Sequence, residues 1–399
     1  MEKVMILGAG PLQVPAIKKA KELGLFVIAC DYDPNAVGFK YADVKLLIST
    51  IDKEAVLESA KKYHPNYIMT STSDAPVKTV AYVSEKLGMI QDISYENAVC
   101  ATEKNSMRKR LKKCEVPIPA FYACENFEEF CEALDQMDGI CVVKPSDSAA
   151  SRGVEIFDSD SSKVERKKQY DYSKSFSRNG IVMVEEYMKG PEVSVEGIIV
   201  NKELHIIAIT DKLVTPLPFF VELGHSEPSQ LPTSVQKDIC DVTRKAVAAI
   251  GIVNGTCHAE LKITDKGPKI VEIAARLGGD YITSCLVPLS TGVDLVGNSI
   301  LLALHRPISI EKTRKQGSAI RFISGEEGVV KKIEIKEEAK NIEGIYEIQI
   351  YVQKGQKVRS LQSSNDRLGH VIAIGETAEQ AIERAEKALD NIIIEISEE

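Results

Sequence analysis

One short segment constrains this chain more than any other. Residues 256–275, TCHAELKITDKGPKIVEIAA, alternate, turn and alternate again, which is the pattern of a β-hairpin around Thr264-Asp265-Lys266-Gly267-Pro268. In the first arm Cys257, Ala259, Leu261 and Ile263 share one face, and His258, Glu260 and Lys262 share the other. In the second arm Val271 and Ile273 take the apolar face. Matching the two faces centres the pairing on Lys266 and predicts Glu260 directly opposite Glu272. Cβ atoms at such positions lie roughly 4.5–5.5 Å apart, where like charges destabilise a sheet. A divalent cation relieves the conflict, since Mg2+ takes carboxylate oxygens and shares them with phosphates. The ordinary alternatives are a solvated face on which two acids align, or a slip of one residue that separates them.

The residues that follow favour a site. Ala274-Ala275-Arg276-Leu277-Gly278-Gly279-Asp280 carries the strand out of the sheet into an arginine and paired glycines. Glycine permits close backbone approach to a ligand, and arginine suits phosphate or carboxylate.

With 399 residues the chain is too long for one ordinary core, and roughly two to four domains are expected. A net charge of −8 argues against a general nucleic-acid binder. Nine cysteines, scattered singly and without C-x-x-C spacing, fit a reduced cytoplasmic protein better than a disulfide scaffold or a zinc site. The opening MEKVMILGAG reads as a strand entering a glycine turn rather than a signal peptide, and no apolar stretch has the length of a membrane span. The expectation is a cytoplasmic globular protein.

From residue 4 to about 88, short apolar runs (4–7, 26–31, 67–70) alternate with amphipathic ones (14–23, 53–62), a βαβαβ pattern that predicts a parallel sheet. The turn Gly8-Ala9-Gly10-Pro11-Leu12-Gln13, with Asp31 beyond it, imitates a dinucleotide fingerprint, but Gln13 stands in place of the third glycine. A nicotinamide oxidoreductase is therefore a weak alternative. Residues 94–114 read as one helix whose basic run (Lys104, Arg108, Lys109, Arg110, Lys112, Lys113) has the look of a solvated face. The strand 140–145 leads into Ser146-Asp147-Ser148-Ala149-Ala150-Ser151-Arg152-Gly153, a small-residue loop that can lay N–H groups on an anion, with Lys144 and Arg152 adding charge. It lacks P-loop spacing, and a plain mobile turn is the alternative. A strand at 181–186 ends in Glu185 and Glu186, and a second runs over 193–200. Residues 213–232 read as a long proline-rich loop carrying Glu222 and His225, and loops of that length are commonly functional. Residues 315–399 read as a separate α+β unit with a C-terminal helix at 378–389.

Taken in order, Lys104, Lys144 with its loop to Gly153, E-E-Y-M-K-G-P-E at 185–192, H-A-E at 258–260 and V-E-I-A-A-R-L-G-G at 271–279 resemble the ATP-grasp ligases. The resemblance extends over essentially the whole chain, including R-L-G-H-V-I-A-I-G-E-T-A-E-Q-A at 367–381, and points towards the L-amino-acid, phosphoribosylglycinamide synthetase-like and carbamoyl-phosphate synthetase-like members. It implies a mixed α/β and α+β fold: a Rossmann-like pre-ATP-grasp domain (1–95), a helical linker with the small ATP-grasp lobe (96–182), a large lobe with the metal site (183–312) and a C-terminal α+β domain (313–399).

The resemblance also implies roles. ATP would be held by Lys104, Lys144, Ser151, Arg152, Gly153, Glu185, Glu186, Tyr187, Met188 and Glu192, with Glu185 on the adenine amino group and Glu192 on the ribose. Mg2+ or Mn2+ would bind Glu260 and Glu272, while Arg276 and Lys144 would stabilise the charge that develops during reaction. His258, on the polar hairpin face, suits substrate contact or amine deprotonation, and a structural role equally well. Glu222, His225, Gly278 and Gly279 would meet the carboxylate and amine substrates, Glu222 by receiving an ammonium group. Ala274 stands where the superfamily commonly has an asparagine ligand, which puts a second metal ion in doubt. The implied chemistry is ADP-forming carboxylate–amine ligation through an acyl phosphate, without nucleic acid or membrane as partner; a homodimer is a further expectation from relatives. A phosphoribosylglycinamide synthetase-like ligase and a non-catalytic ATP-binding sensor are the alternatives.

Overall fold

The structure is a computed structural model that describes residues 1–89, 92–148, 152–217 and 220–397. The N-terminal βαβ alternation forms a parallel sheet of four strands, ordered Val44–Leu47, Phe26–Asp31, Lys3–Leu7, Tyr67–Met69. The sequence reading has no counterpart to Val44–Leu47. It is a four-residue edge strand with two exposed positions, so it carries little apolar signal. Met5, Leu7, Ile28 and Ile68 fill the layer between the sheet and the helices Lys53–Tyr63 and Val77–Lys86.

The single helix expected over 94–114 is two, Tyr95–Cys100 and Lys104–Lys113. Ser94 caps the first, and Glu103, in extended conformation, starts the second afresh. Its basic run is only partly a solvated face: Lys104 and Arg108 point inward, and Arg108 is wholly buried.

The small lobe is a four-stranded antiparallel sheet, ordered Phe121–Cys124, Val182–Glu186, Ile140–Pro145, Glu155–Asp158. Helices Phe127–Asp135, capped by Asn126, and Lys163–Ser175, opened by a Ser162/Glu165 capping box, pack on it through Phe130, Leu134 and Tyr170.

The backbone of the molecule is an eight-stranded antiparallel sheet, ordered Gly267–Ala274, Gly255–Thr264, Glu192–Val200, Glu203–Val214, Glu222–Glu227, Gly317–Ile323, Gly369–Gly375, Ile345–Ile350. Two expectations change here. Residues 222–227, read as loop, are a strand; Glu222, His225, Ser226 and Glu227 leave it no apolar alternation to betray it. The last segment is also not separate, because Gly317–Ile323 pairs directly with Glu222–Glu227 and carries its strands into the common sheet. Only Gly328–Ile335, Lys357–Val358 and Ile392–Ser397 form a small sheet of their own. The C-terminal helix occupies Ala378–Leu389, as its periodicity predicts. Among the described residues no single helix is long and apolar enough to cross a membrane.

Candidate active site

The hairpin sets Glu260 opposite Glu272, as the alternation predicts, but by a less direct route. Near the turn the register pairs Thr264 with Gly267 and Leu261 with Ile270, which continued unchanged would put Val271 opposite Glu260. A β-bulge at Val271 inserts one residue and restores the glutamate pair. Ile270, not Val271, therefore joins Ile273, Leu261 and Ala259 in the core. The displaced Val271 carbonyl accepts a hydrogen bond from Arg108 Nη2 at 2.8 Å.

Each glutamate has a cation behind it. Lys104 Nζ lies 3.3 Å from Glu272 Oε2 and donates to the Ser148 carbonyl at 3.0 Å, so the loop 146–153 is tied to the hairpin at its start. Glu260 Oε1 accepts from Lys212 Nζ at 2.9 Å and faces His258 Nε2 at 3.2 Å. Lys212 is buried and also bonds Glu192 at 2.7 Å, with Glu222 at 3.6 Å. Burial alone would raise the Glu260 pKa, but Lys212 and His258 hold it well below the usual carboxylate range.

His258 is bracketed on its other side by Glu196, with Nδ1 to Oε1 at 2.7 Å. Burial works to lower its pKa, yet Glu196 and Glu260 outweigh that and push it up to about 9. An imidazolium between two carboxylates has no lone pair with which to deprotonate an amine, so the expected base role does not follow from this geometry.

Two carboxylates with oxygens partly open to solvent suit a hard cation shared with phosphate oxygens. Among the described residues no group of three or more His, Cys, Asp or Glu side chains forms a closed cage, and none is needed for an ion completed by its nucleotide. Ala274 is buried and offers no ligand.

Glu185 stands in a different environment. Arg108 forks onto it at 2.8 and 3.1 Å and Lys144 Nζ reaches it at 2.7 Å, all three being buried. Burial raises its pKa, but the two cations prevail and bring it to about 2. Its resting partners are thus protein cations, with carboxylate lone pairs to spare for one further donor. Glu186 is held by Lys269 at 2.9 Å, Tyr187 packs near Phe220 with ring centroids 6.5 Å apart, and Met188 is buried. Glu192 lies between Lys212 and Lys262. Gly153 has φ +73°, where a Cβ would strike Phe176 at 2.8 Å. Arg152 borders the loop, and Ser151 lies outside the described residues.

The strand exit brings the N-terminal domain into the cleft. Arg276 is clamped by Asp74 in a two-pronged pair at 2.7 and 2.8 Å. A Cβ on Gly278 would lie 2.7 Å from Glu196 Oε2 and 2.9 Å from His258 Nδ1, so only glycine passes there. Around Gly279 there is open space, with Leu12 of the glycine turn 3.9 Å away. Glu222 and His225 meet through Arg367, which bonds Glu222 Oε2 at 3.0 Å and Asp280 Oδ2 at 2.8 Å, while His225 Nε2 lies 3.5 Å from the same Asp280 oxygen.

The hairpin thus carries an open carboxylate pair, with Lys104 joining Glu272 to the Ser148 carbonyl. Residues 124–284 match the family model for the ATP-grasp domain. Over that stretch the chain is similar to ATP-grasp domains. Residues 321–397 match the model for L-amino acid ligase C-terminal domain 2. Among curated proteins it is similar to alanine–anticapsin ligase of Bacillus subtilis (strain 168), 28% identical over 57% of this chain and 51% of the relative. An uncharacterized protein of Sinorhizobium fredii is 27% identical over 72% of this chain and 60% of its own length. The chain thus spans little more than half of these two relatives. A formate-dependent phosphoribosylglycinamide formyltransferase of Sulfurisphaera tokodaii is 22% identical over 98% of this chain and 97% of the relative. Of solved structures, L-amino acid ligase from Bacillus licheniformis aligns with a TM-score of 0.84 at 20% identity, covering 100% of this chain and 99% of that one. Phosphoribosylglycinamide synthetase from Anaerococcus prevotii aligns at 0.78 and 20%, covering 99% and 100%. Likeness at that identity establishes the fold.

Six residues of the cleft have no site role in the sequence reading: Asp74, Arg108, Glu196, Lys212, Asp280 and Arg367. Lone charges inside apolar strands, such as Glu196 in EVSVEGIIV, and an acid just past a parallel strand, such as Asp74, are signals that were there to find. Arg108 and Arg367 lie in polar stretches and carry no local signal.

Proposed function

We propose that this chain is an ATP-grasp ligase, ATP- and Mg2+-dependent, joining an amino acid or small carboxylic acid to an amine with release of ADP and phosphate. The observation that carries the reading is the Glu260–Glu272 pair, open to solvent and flanked by Lys104 and Lys212. The N-terminal domain and the small lobe expected from the sequence are proposed as functional units, with the large lobe and the C-terminal segment joined through their common sheet.

A carboxylate is a poor electrophile, because amine attack would have to expel oxide. In the proposed reaction the substrate carboxylate oxygen takes the γ-phosphoryl group and ADP leaves. The amine nitrogen then bonds the acyl carbon, the carbon–oxygen bond to phosphate breaks, phosphate departs with the electron pair, and the amine sheds its proton to solvent or substrate. The chain's own part is orientation, charge neutralisation and exclusion of water.

In this reading Lys104 and Lys144 contact phosphate oxygens, and Ser151, Arg152 and Gly153 belong to the loop that covers them. Glu185 and Glu186, the backbone at Tyr187 and Met188, and Glu192 border the adenosine. Glu260 and Glu272 hold Mg2+, which when bound neutralises phosphate charge. Arg276, fixed by Asp74, faces the charge of the tetrahedral intermediate. His258 orients Glu260 rather than acting as base. Glu222 and His225 receive the amino substrate, with Gly278 and Gly279 leaving backbone N–H groups within reach of a carboxylate.

The match of residues 321–397 supports the amino-acid form of the reading; the near full-length match to a phosphoribosylglycinamide formyltransferase supports a ribonucleotide form as the second. Phosphate release from ATP and Mg2+, screened against pairs of amino acids, small carboxylic acids and glycinamide-type ribonucleotides, tests both. ATP binding without stimulated turnover by any pair would leave the sensor reading in place of both.

A further inference from the structure

The cleft repeats one arrangement, partly exposed carboxylates above buried cations. On the hairpin side Glu260 and Glu272 keep 23% and 21% of their side chains open, above Lys212 at 3% and Lys104 at 10%. Beyond Lys212, Glu222 and Asp280 keep 19% and 24% open, above Arg367 at 4%. A group entering there meets the more exposed carboxylates before the buried guanidinium.

This second recess is built from three segments far apart in the chain: the strand Glu222–Glu227, the exit from the hairpin, and the turn before Gly369–Gly375. Arg367 spans it, one terminal nitrogen on each carboxylate, with its guanidinium stacked 3.7 Å above the Phe322 ring. The fork holds two like charges near one another at a set spacing. Asp280 and Tyr281 have φ of +49° and +62°, and a π-helix, Ile282–Leu286, follows at once. Such backbone departures concentrate where a side chain is aimed at a ligand.

We propose that Asp280 is a specificity-determining residue of the amino-substrate pocket, and that with Glu222 it selects a basic amino acid, one with a second cationic group beside its α-ammonium. The pocket's identity rests on the carboxylate–amine ligase reading. One carboxylate serves one ammonium. Lys212, 3.6 Å from Glu222, is already engaged by Glu192 and Glu260, so Glu222 and Asp280 share Arg367 as their close cation, and a neutral side chain would desolvate the remaining negative charge without compensation. Glu222 receives the α-ammonium, Asp280 the side-chain cation, and Arg367 is the positioning residue that sets their spacing.

The test is calorimetric titration of the full-length chain, holding a non-hydrolysable ATP analogue and Mg2+, with lysine and with norleucine, which lacks only the terminal ammonium. Lysine is expected to bind at least ~10-fold more tightly, and Asp280→Asn to erase that preference while changing norleucine binding by less than ~3-fold. Norleucine binding as tightly as lysine, absence of lysine binding, or equal weakening of both ligands by the substitution overturns the proposal. Thermal melting and nucleotide affinity separate loss of the pocket from loss of the fold, and should Asp280→Asn not fold, Asp280→Ser is read the same way. ADP formation is followed in parallel. Lysine-selective binding with no turnover by any pair overturns the ligase reading and leaves the pocket; turnover with neutral amino acids alone overturns the pocket and leaves the ligase.

Discussion

Glu185 and the Glu260–Glu272 pair are the same residue type at the same cleft, each with a cation against it, yet they differ in exposure. Glu185 is 3% exposed and bonded by two buried cations, so its charge is compensated before any ligand arrives. Glu260 and Glu272 face one another across a bulged hairpin with oxygens still open. A closed carboxylate holds the lobes in register; an open pair retains acceptor capacity for something absent from the polypeptide. Burial, not residue identity or the number of cations alongside, separates the two here.

Removing a partner from the closed site is the strongest way to break that contrast. Arg108→Met strips two hydrogen bonds from Glu185 and one from the Val271 carbonyl, and is expected to lose about 3–5 kcal/mol in urea unfolding. A loss under ~1 kcal/mol would mean that Glu185 is not structural after all. The open site should behave the other way round: Glu272→Gln is expected to cut ADP formation by roughly 10²–10³ while the melting temperature moves little. Normal turnover by that variant would remove the metal assignment.

Gly278→Ala sharpens the contrast at the cleft floor. Its Cβ would press on Glu196 and His258, so substrate KM should rise and stability fall by roughly 1–3 kcal/mol, with nucleotide affinity unchanged. A pH slope tests a third kind of carboxylate. Glu227 is fully buried and, among the described residues, accepts hydrogen bonds from the Thr210 and Ser290 hydroxyls; burial raises its pKa from 4.5 to about 8 against their opposing pull. The folded chain then holds a proton that the unfolded chain releases above about pH 4.5. Its contribution to stability is complete below that pH and falls as pH climbs towards 8, by at most ~1.4 kcal/mol per unit. Glu227→Gln should flatten that slope, as read from denaturant midpoints across the range. An unchanged slope would show that the proton is not there.

Much of this was legible in the residues. The parallel N-terminal sheet followed from alternating apolar runs, and the facing glutamates from hairpin periodicity. The bulge that makes them face was not legible, since Val271 and Ile270 are equally apolar and only packing against Leu261 and Ala259 chooses between them. The strand Glu222–Glu227 escaped because its side chains serve polar partners on several sides. The split at Glu103 escaped because Lys104 and Arg108 look like surface charge until the carboxylates they meet, Glu272 and Glu185, are folded beside them.

Local order thus settled which elements exist, which acids share a hairpin face, and that a small-residue loop follows Lys144, because alternation and turn chemistry are short-range properties of a polypeptide. Which of its charges are buried in pairs and which stay open was decided only when strands remote in the chain came together. Asp74 reaches Arg276 across 202 positions, and Arg367 reaches Glu222 across 145. Coulomb attraction and desolvation act through space, so a chain read one residue at a time carries no record of them.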